Sequence, residues 1–84
     1  MLYLNDEEVM ALIAAGYNTV PKLCKHLLGV PEDFHMIKLG YDDYEEYNRM
    51  KKYYIRRCNH MAKRRELVKT ETGPNTAMIW TLAE

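Results

Sequence analysis

The chain has little that would cross-link it, bind a metal or thread it through a membrane. Two cysteines occur in 84 residues. Cys24 and Cys58 share no CxxC spacing, so neither a zinc knuckle nor a disulfide framework is built on them. Both are expected to be reduced thiols packed within helices. His26, His35 and His60 have no metal-ligand spacing with those cysteines, and Cys24 and His26, two apart, point away from each other on a helix. No metal and no cofactor is expected. The four glycines stand singly, which leaves no Gly-rich phosphate loop. No apolar run approaches the roughly 18 residues of a membrane span, and the opening segment turns acidic at Asp6-Glu7-Glu8 where a signal peptide would be basic and then apolar. A cytoplasmic protein without membrane contact is expected. Internal repeats, low-complexity stretches and linkers are also lacking.

What is present is a globular composition: 48% of residues are hydrophobic and 11% aromatic, too many for a disordered tail. A chain of this length is read as a single domain spanning residues 1–84, with no room for a separate catalytic unit. One surface must then carry the function. Formal net charge is zero, yet the charges are segregated. Residues 1–46 hold nine acids and three lysines, a net −6, and residues 47–84 hold nine bases and three acids, a net +6. Such a dipole lets a partner read one end of the molecule.

Local signals divide the chain into helices followed by a hairpin. Asn5 with Glu8 three residues on forms a capping box, and Val9, Met10, Leu12 and Ile13 recur at helical spacing up to about Ala15, where Gly16 supplies a stop. A second helix begins at Asn18 or Thr19 with Pro21 in its first turn, buries Leu23, Cys24, Leu27 and Leu28, and stops at Gly29. Between Pro31 and Gly40, around Met36 and Ile37, a short helix of two turns is expected. Asp42 and Asp43 then cap a long helix, about residues 44–65, whose face of Tyr44, Tyr47, Met50, Tyr54, Cys58 and Met61 is apolar. Leu67 to Glu71 and Ala77 to Leu82 read as strands joined by the turn formers of Thr72-Gly73-Pro74-Asn75-Thr76. The fold class expected is mainly α with a small β-hairpin, α+β.

The long helix has two faces. On a wheel of about 100° per residue, Met50, Tyr54, Cys58 and Met61 cluster within roughly 60° of Tyr47, while Arg49, Lys52, Arg56, His60 and Lys63 lie on the far side. Asn59 fills a gap in that row, which extends for about 20 Å along the helix axis. Eight Lys or Arg and no acid occur from Arg49 to Arg65. A solvated face usually mixes signs, because Glu–Lys pairs four apart stabilise a helix and a single-sign row repels itself. An anionic partner would offset that repulsion. Duplex DNA supplies phosphates and a major groove that admits one helix. A solvated face neutralised by the acidic half of the chain is the plainer alternative.

The run from Arg57 to Val68, followed by Trp80-Thr81-Leu82, resembles the end of the recognition helix, first wing strand and returning strand of winged helix-turn-helix DNA-binding domains. The stretch Thr19 to Gly29 is similar to the helix that precedes the recognition helix. The resemblance extends over nearly the whole chain as an order of elements. It implies a non-enzymatic, sequence-specific double-stranded DNA-binding protein, a transcriptional regulator that sets its basic helix in the major groove and lays a β-hairpin wing (67–82) on the backbone. The contact residues it implies are Arg49, Lys52, Arg56, Asn59, His60, Lys63 and Arg64, with Lys69 and Asn75 from the wing. Glu66 stands where the family often has glycine, and residues 30–43 exceed the usual turn between the two helices.

Five of the seven tyrosines, Tyr41, Tyr44, Tyr47, Tyr53 and Tyr54, fall within 14 positions. Tyrosine suits interfaces by joining a large ring to a polar tip, so a homodimer through this region is expected. A protein partner is the other reading: a winged-helix adaptor or inhibitor that binds another protein through this acidic, tyrosine-rich segment. Single-stranded base stacking would use the same aromatics. Asp42, Asp43, Glu45 and Glu46 are explained by capping and the helix dipole rather than by catalysis.

Overall fold

A computed structural model describes residues 2–35, 38, 40–70 and 78–83. Three helices, α1 (Asp6–Ala14), α2 (Val20–Leu28) and α3 (Tyr41–Lys63), precede an antiparallel pair, β1 (Leu67–Thr70) and β2 (Ile79–Leu82). The chain is mainly helical with a small two-stranded sheet, an α+β arrangement.

Each helix starts largely where its cap signals place it. The Asn5 side chain accepts from the Glu8 N–H, and Glu8 reciprocates to the Asn5 N–H, completing the capping box of α1. Thr19 caps α2 by accepting from the Lys22 N–H. The long helix differs from expectation: Gly40 is its N-cap, without a side-chain bond, and Asp42 and Asp43 lie inside its first turn. They act there as charges beside unpaired N–H groups rather than as caps. In the stretch where a short helix is expected before α3, the Phe34 N–H reaches the Pro31 carbonyl and the Lys38 N–H the His35 carbonyl, each at 3.0 Å. Met36 and Ile37, on which that helix rested, lie outside the described residues.

All three helices end alike. In each, two successive N–H groups fold back onto the last turn, from Gly16 and Tyr17 in α1, Gly29 and Val30 in α2, and Arg65 and Glu66 in α3. This closure requires one left-handed residue. Gly16 and Gly29 supply it in the first two helices, and Arg65, at φ 62°, supplies it in the third. The passage from α3 to β1 is therefore turned by Arg65, one residue before the Glu66 at which glycine was expected. An L-residue in this conformation costs about 1 kcal/mol. Arg65→Gly is expected to raise the melting temperature by several degrees, because for a chain of this size 1 kcal/mol is worth about 4–8 °C and glycine's greater chain entropy takes back part of the gain. A calorimetric scan showing no rise would contradict the strain.

The core is a wedge between the helices and the sheet. Val9 and Ile13 from α1, Val20, Leu23 and Cys24 from α2, Leu67 and Trp80 from the strands are buried against Tyr47, Met50, Tyr54, Cys58 and Met61 of α3. The apolar face expected for α3 is thus correct except at Tyr44, which is exposed. Burial pushes the Cys24 thiol up to about 12 and the Cys58 thiol to about 11, so both stay protonated packing groups. Tyr54 is wholly buried, and its hydroxyl is occupied: it donates to the Leu2 carbonyl at 2.6 Å and accepts from the Leu4 N–H at 2.9 Å. The segment before α1 is thereby held on α3.

In the sheet, Leu67 pairs with Leu82 and Lys69 with Trp80. The outward-turned N–H of Trp80 donates to the Asn18 carbonyl at 2.8 Å, so the α1–α2 connection lies along the free side of β2. Beside the indole, a pocket lined by Ile13, Tyr17, Val20, Leu23 and Cys58 leaves no room for a water molecule.

Candidate functional site

The outward face of α3 carries Arg49, Lys52, Arg56, His60 and Lys63, all exposed, with Asn59 half-buried at its margin. Lys69 is exposed on β1 just beyond. The structure therefore places these expected contact residues along one helix and the strand that follows. Asn75, expected at the wing tip, lies outside the described residues.

Their electrostatic states differ. Arg49 donates from Nε and Nη2 to Glu46 Oε2 at 2.9 and 2.7 Å, with Glu45 at 3.9 Å. Hydrogen bonding to Arg49 holds the Glu46 carboxyl below its ordinary value, and the same bond raises Arg49. Glu46 also accepts from the Tyr3 hydroxyl at 3.1 Å. Arg49 is thus neutralised locally by acids three and four positions before it.

The row is opposed a second time, from far away in the chain. Arg57 grips Asp6 with two bonds, Nε to Oδ1 at 3.0 Å and Nη2 to Oδ2 at 2.7 Å. Arg64 Nη2 adds a third at 2.6 Å, while Arg64 Nε meets Glu66 Oε1 at the same distance. This clamp ties the first turn of α1 to the last turns of α3. The acid-free run from Arg49 to Arg65 is therefore not unopposed: Arg49, Arg57 and Arg64 have carboxylates. Arg64, expected to be a contact residue, is committed to two of them.

Hydrogen bonding from Arg57, with Arg64 adding to it, holds the Asp6 carboxyl below its ordinary value of 3.8 against the desolvation that would raise it. The stabilisation is present above pH 3.8 and is lost as pH falls through the lower value in the folded state. Asp6→Asn should melt below the wild type at neutral pH. The gap should close as the two are compared at progressively lower pH beneath about 4. A gap that is independent of pH would remove the clamp's electrostatic role.

Lys52, Arg56, Lys63, Arg65 and Lys69 are exposed, and no acid pairs with them among the described residues. Lys51 lies with Nζ 4.7 Å above the Tyr47 ring, a cation–π contact. At the opposite end of α3, Asp42, Asp43 and Glu45 are exposed beside Tyr41 and Tyr44. Acids at the N-terminal end and bases at the C-terminal end both complement the helix dipole, so α3 is stabilised by its own charge order. An anionic partner would meet α3 from Lys52 onward, because the first two turns would repel it.

Two residues of this surface escaped the sequence reading. Arg65 was counted as charge but not recognised as the turning residue. Ile55 is exposed between Lys52 and Asn59; its signal was an aliphatic side chain off the Tyr47 to Met61 stripe.

Among the described residues no group of three His, Cys, Asp or Glu is placed to hold a metal ion, and no helix is long and apolar enough to cross a membrane. No family model, curated protein or solved structure matches the chain.

Proposed function

We propose that this protein is a small winged-helix DNA-binding protein, a regulator of transcription that binds duplex DNA rather than transforming a substrate. The observation that carries the reading is the set of exposed cations Lys52, Arg56, Lys63, Arg65 and Lys69, unpaired among the described residues, on the end of α3 and the strand beyond it. Exposed cations without carboxylates suit a partner of opposite sign, and a helix fits the major groove of DNA. The order of three helices and a β-hairpin, with the α1–α2 connection hydrogen-bonded to β2, supports a wing beside a recognition helix. Arg49 and Arg64 contribute less than the sequence alone implied, since each is held by carboxylates.

Fluorescence anisotropy with a random-sequence duplex, measured across a salt series, tests the proposal. Five phosphate contacts predict a slope of log K against log salt of about −4.5, from about −0.9 per contact. Binding that is absent or indifferent to salt would end it.

One observation favours a second reading. Tyr41 is 76% exposed and stands with exposed Tyr44 among three acids, a surface suited to a protein partner or to a second copy of the chain. A concentration-dependent mass in sedimentation, lost in Tyr41→Ser/Tyr44→Ser, would select homodimerisation. A monomer with no duplex affinity would favour the adaptor.

A further inference from the structure

We infer that Ile55 reads the 5-methyl group of thymine in the major groove, so that the α3 surface prefers duplex containing A·T pairs; this rests on the DNA-binding reading above.

Ile55 is 48% exposed, and it is the exposed aliphatic side chain of α3. One turn before it stand Lys51 and Lys52, one residue after it Arg56, and one turn after it Asn59. An isolated exposed apolar residue is ordinary on a protein surface. What distinguishes Ile55 is its company. On the helical wheel Ile55 and Asn59 lie within about 40° of each other, and the unpaired cations Lys52, Arg56 and Lys63 run beside them about 60–100° around from Ile55. One outward helix surface thus carries a neutral line and a cationic line side by side.

Those two lines match the two kinds of contact that duplex recognition needs. Phosphate contacts position a protein, and contacts to base edges specify the sequence. The cations suit the backbone. An asparagine amide pairs with the N6 and N7 of adenine, and an aliphatic side chain packs on the thymine methyl. No side-chain hydrogen bond within the described fold engages Asn59, so its amide keeps its donors and acceptors for another molecule. Ile55 and Asn59 are about 6 Å apart along the helix axis, close to two base-pair steps of about 3.4 Å each. An isoleucine among cations also gives the outward face of α3 an aliphatic group able to sense a methyl; a lysine there would sense only charge.

The test begins with a random-core duplex pool enriched for binding to the wild-type protein. The best binder is resynthesised with deoxyuridine in place of thymine, which removes the methyl groups and leaves every charge and hydrogen-bonding edge. Wild-type affinity is expected to fall about fourfold for each contacted methyl, the usual worth of burying one such group. Ile55→Ala should bind the thymine duplex about that much more weakly, with a thymine-to-uracil ratio near one, while Ile55→Val keeps most of the discrimination. The salt slope should be the same for all three proteins, because no charge has been removed; this separates a lost contact from a misfolded helix. Equal wild-type binding to both duplexes, with the salt slope intact, overturns the role of Ile55 and leaves the DNA reading standing. A discrimination that survives Ile55→Ala overturns it as well. Absence of any salt-dependent duplex binding would instead remove the DNA reading itself.

Discussion

Trp80→Ala is expected to destabilise the fold by about 3–5 kcal/mol, the usual cost of truncating a buried tryptophan, and to lower the melting temperature by roughly 20 °C. The indole is the chain's single tryptophan and is 3% exposed. It reaches from β2 into the space among Ile13, Val20, Leu23 and Cys58, so one side chain joins the sheet to all three helices. The surrounding packing admits no water, so a cavity would open where contacts had been, adding to the lost transfer energy. A chain of this length has a total stability of roughly 4–13 kcal/mol. The variant would therefore lie near the edge of folding at ordinary temperature. Far-UV circular dichroism follows the helices without the lost fluorophore. A midpoint within a few degrees of the wild type would mean that β2 is not what closes the core.

The second large effect belongs to the proposed function. Replacing Arg56 and Lys63 together by alanine should weaken duplex binding about sixtyfold at roughly 0.1 M salt and reduce the salt slope by about 1.8, because each phosphate contact contributes about 0.9 to both log K per decade of salt and the slope. Both side chains are exposed and have no ion-pair partner among the described residues, so the fold should tolerate the change. Arg49→Ala is the informative contrast. Glu46 already neutralises Arg49, and its removal should change the slope by much less than one unit. Equal losses from Arg49→Ala and Arg56→Ala would mean that the Glu46 pair opens on binding. No loss from the double variant would show that this face is not the contact surface.

Much of the local structure was legible because its causes are local. The capping box of Asn5 and Glu8, the Thr19 cap, the stops at Gly16 and Gly29 and the buried stripe from Tyr47 to Met61 each depend on residues within a turn or two of one another. Spacing therefore reveals them. The start of α3 was misjudged because an acidic residue near a helix start can serve as a cap or as a charge in the first turn. In this chain Gly40 occupies the cap and both aspartates follow it. The spacing of Tyr44 from Tyr47 puts it on the apolar face, but it stands near the start of α3, where no element among the described residues buries it.

The electrostatics of the candidate site were legible only in part, for a different reason. The Glu46–Arg49 pair is three residues apart and can be read from the helix period. Asp6 is 51 positions from Arg57 and 58 from Arg64, and nothing in the sequence brings them together. Only the tertiary fold, in which the segment before α1 is held on α3 by the bonds of Tyr53 and Tyr54 to Leu2 and Leu4, decides that these two arginines are engaged. The amino-acid sequence by itself determined three helices and a hairpin, the two faces of the long helix and the segregation of acids from bases, since all three follow from periodicity and composition. The tertiary structure decided which of those bases stay exposed without a carboxylate, because charge neutralisation depends on distance in space. It reduced the long basic row to Lys52, Arg56, Lys63 and Arg65, with Lys69 beyond them on β1, and it left Ile55 exposed in their midst.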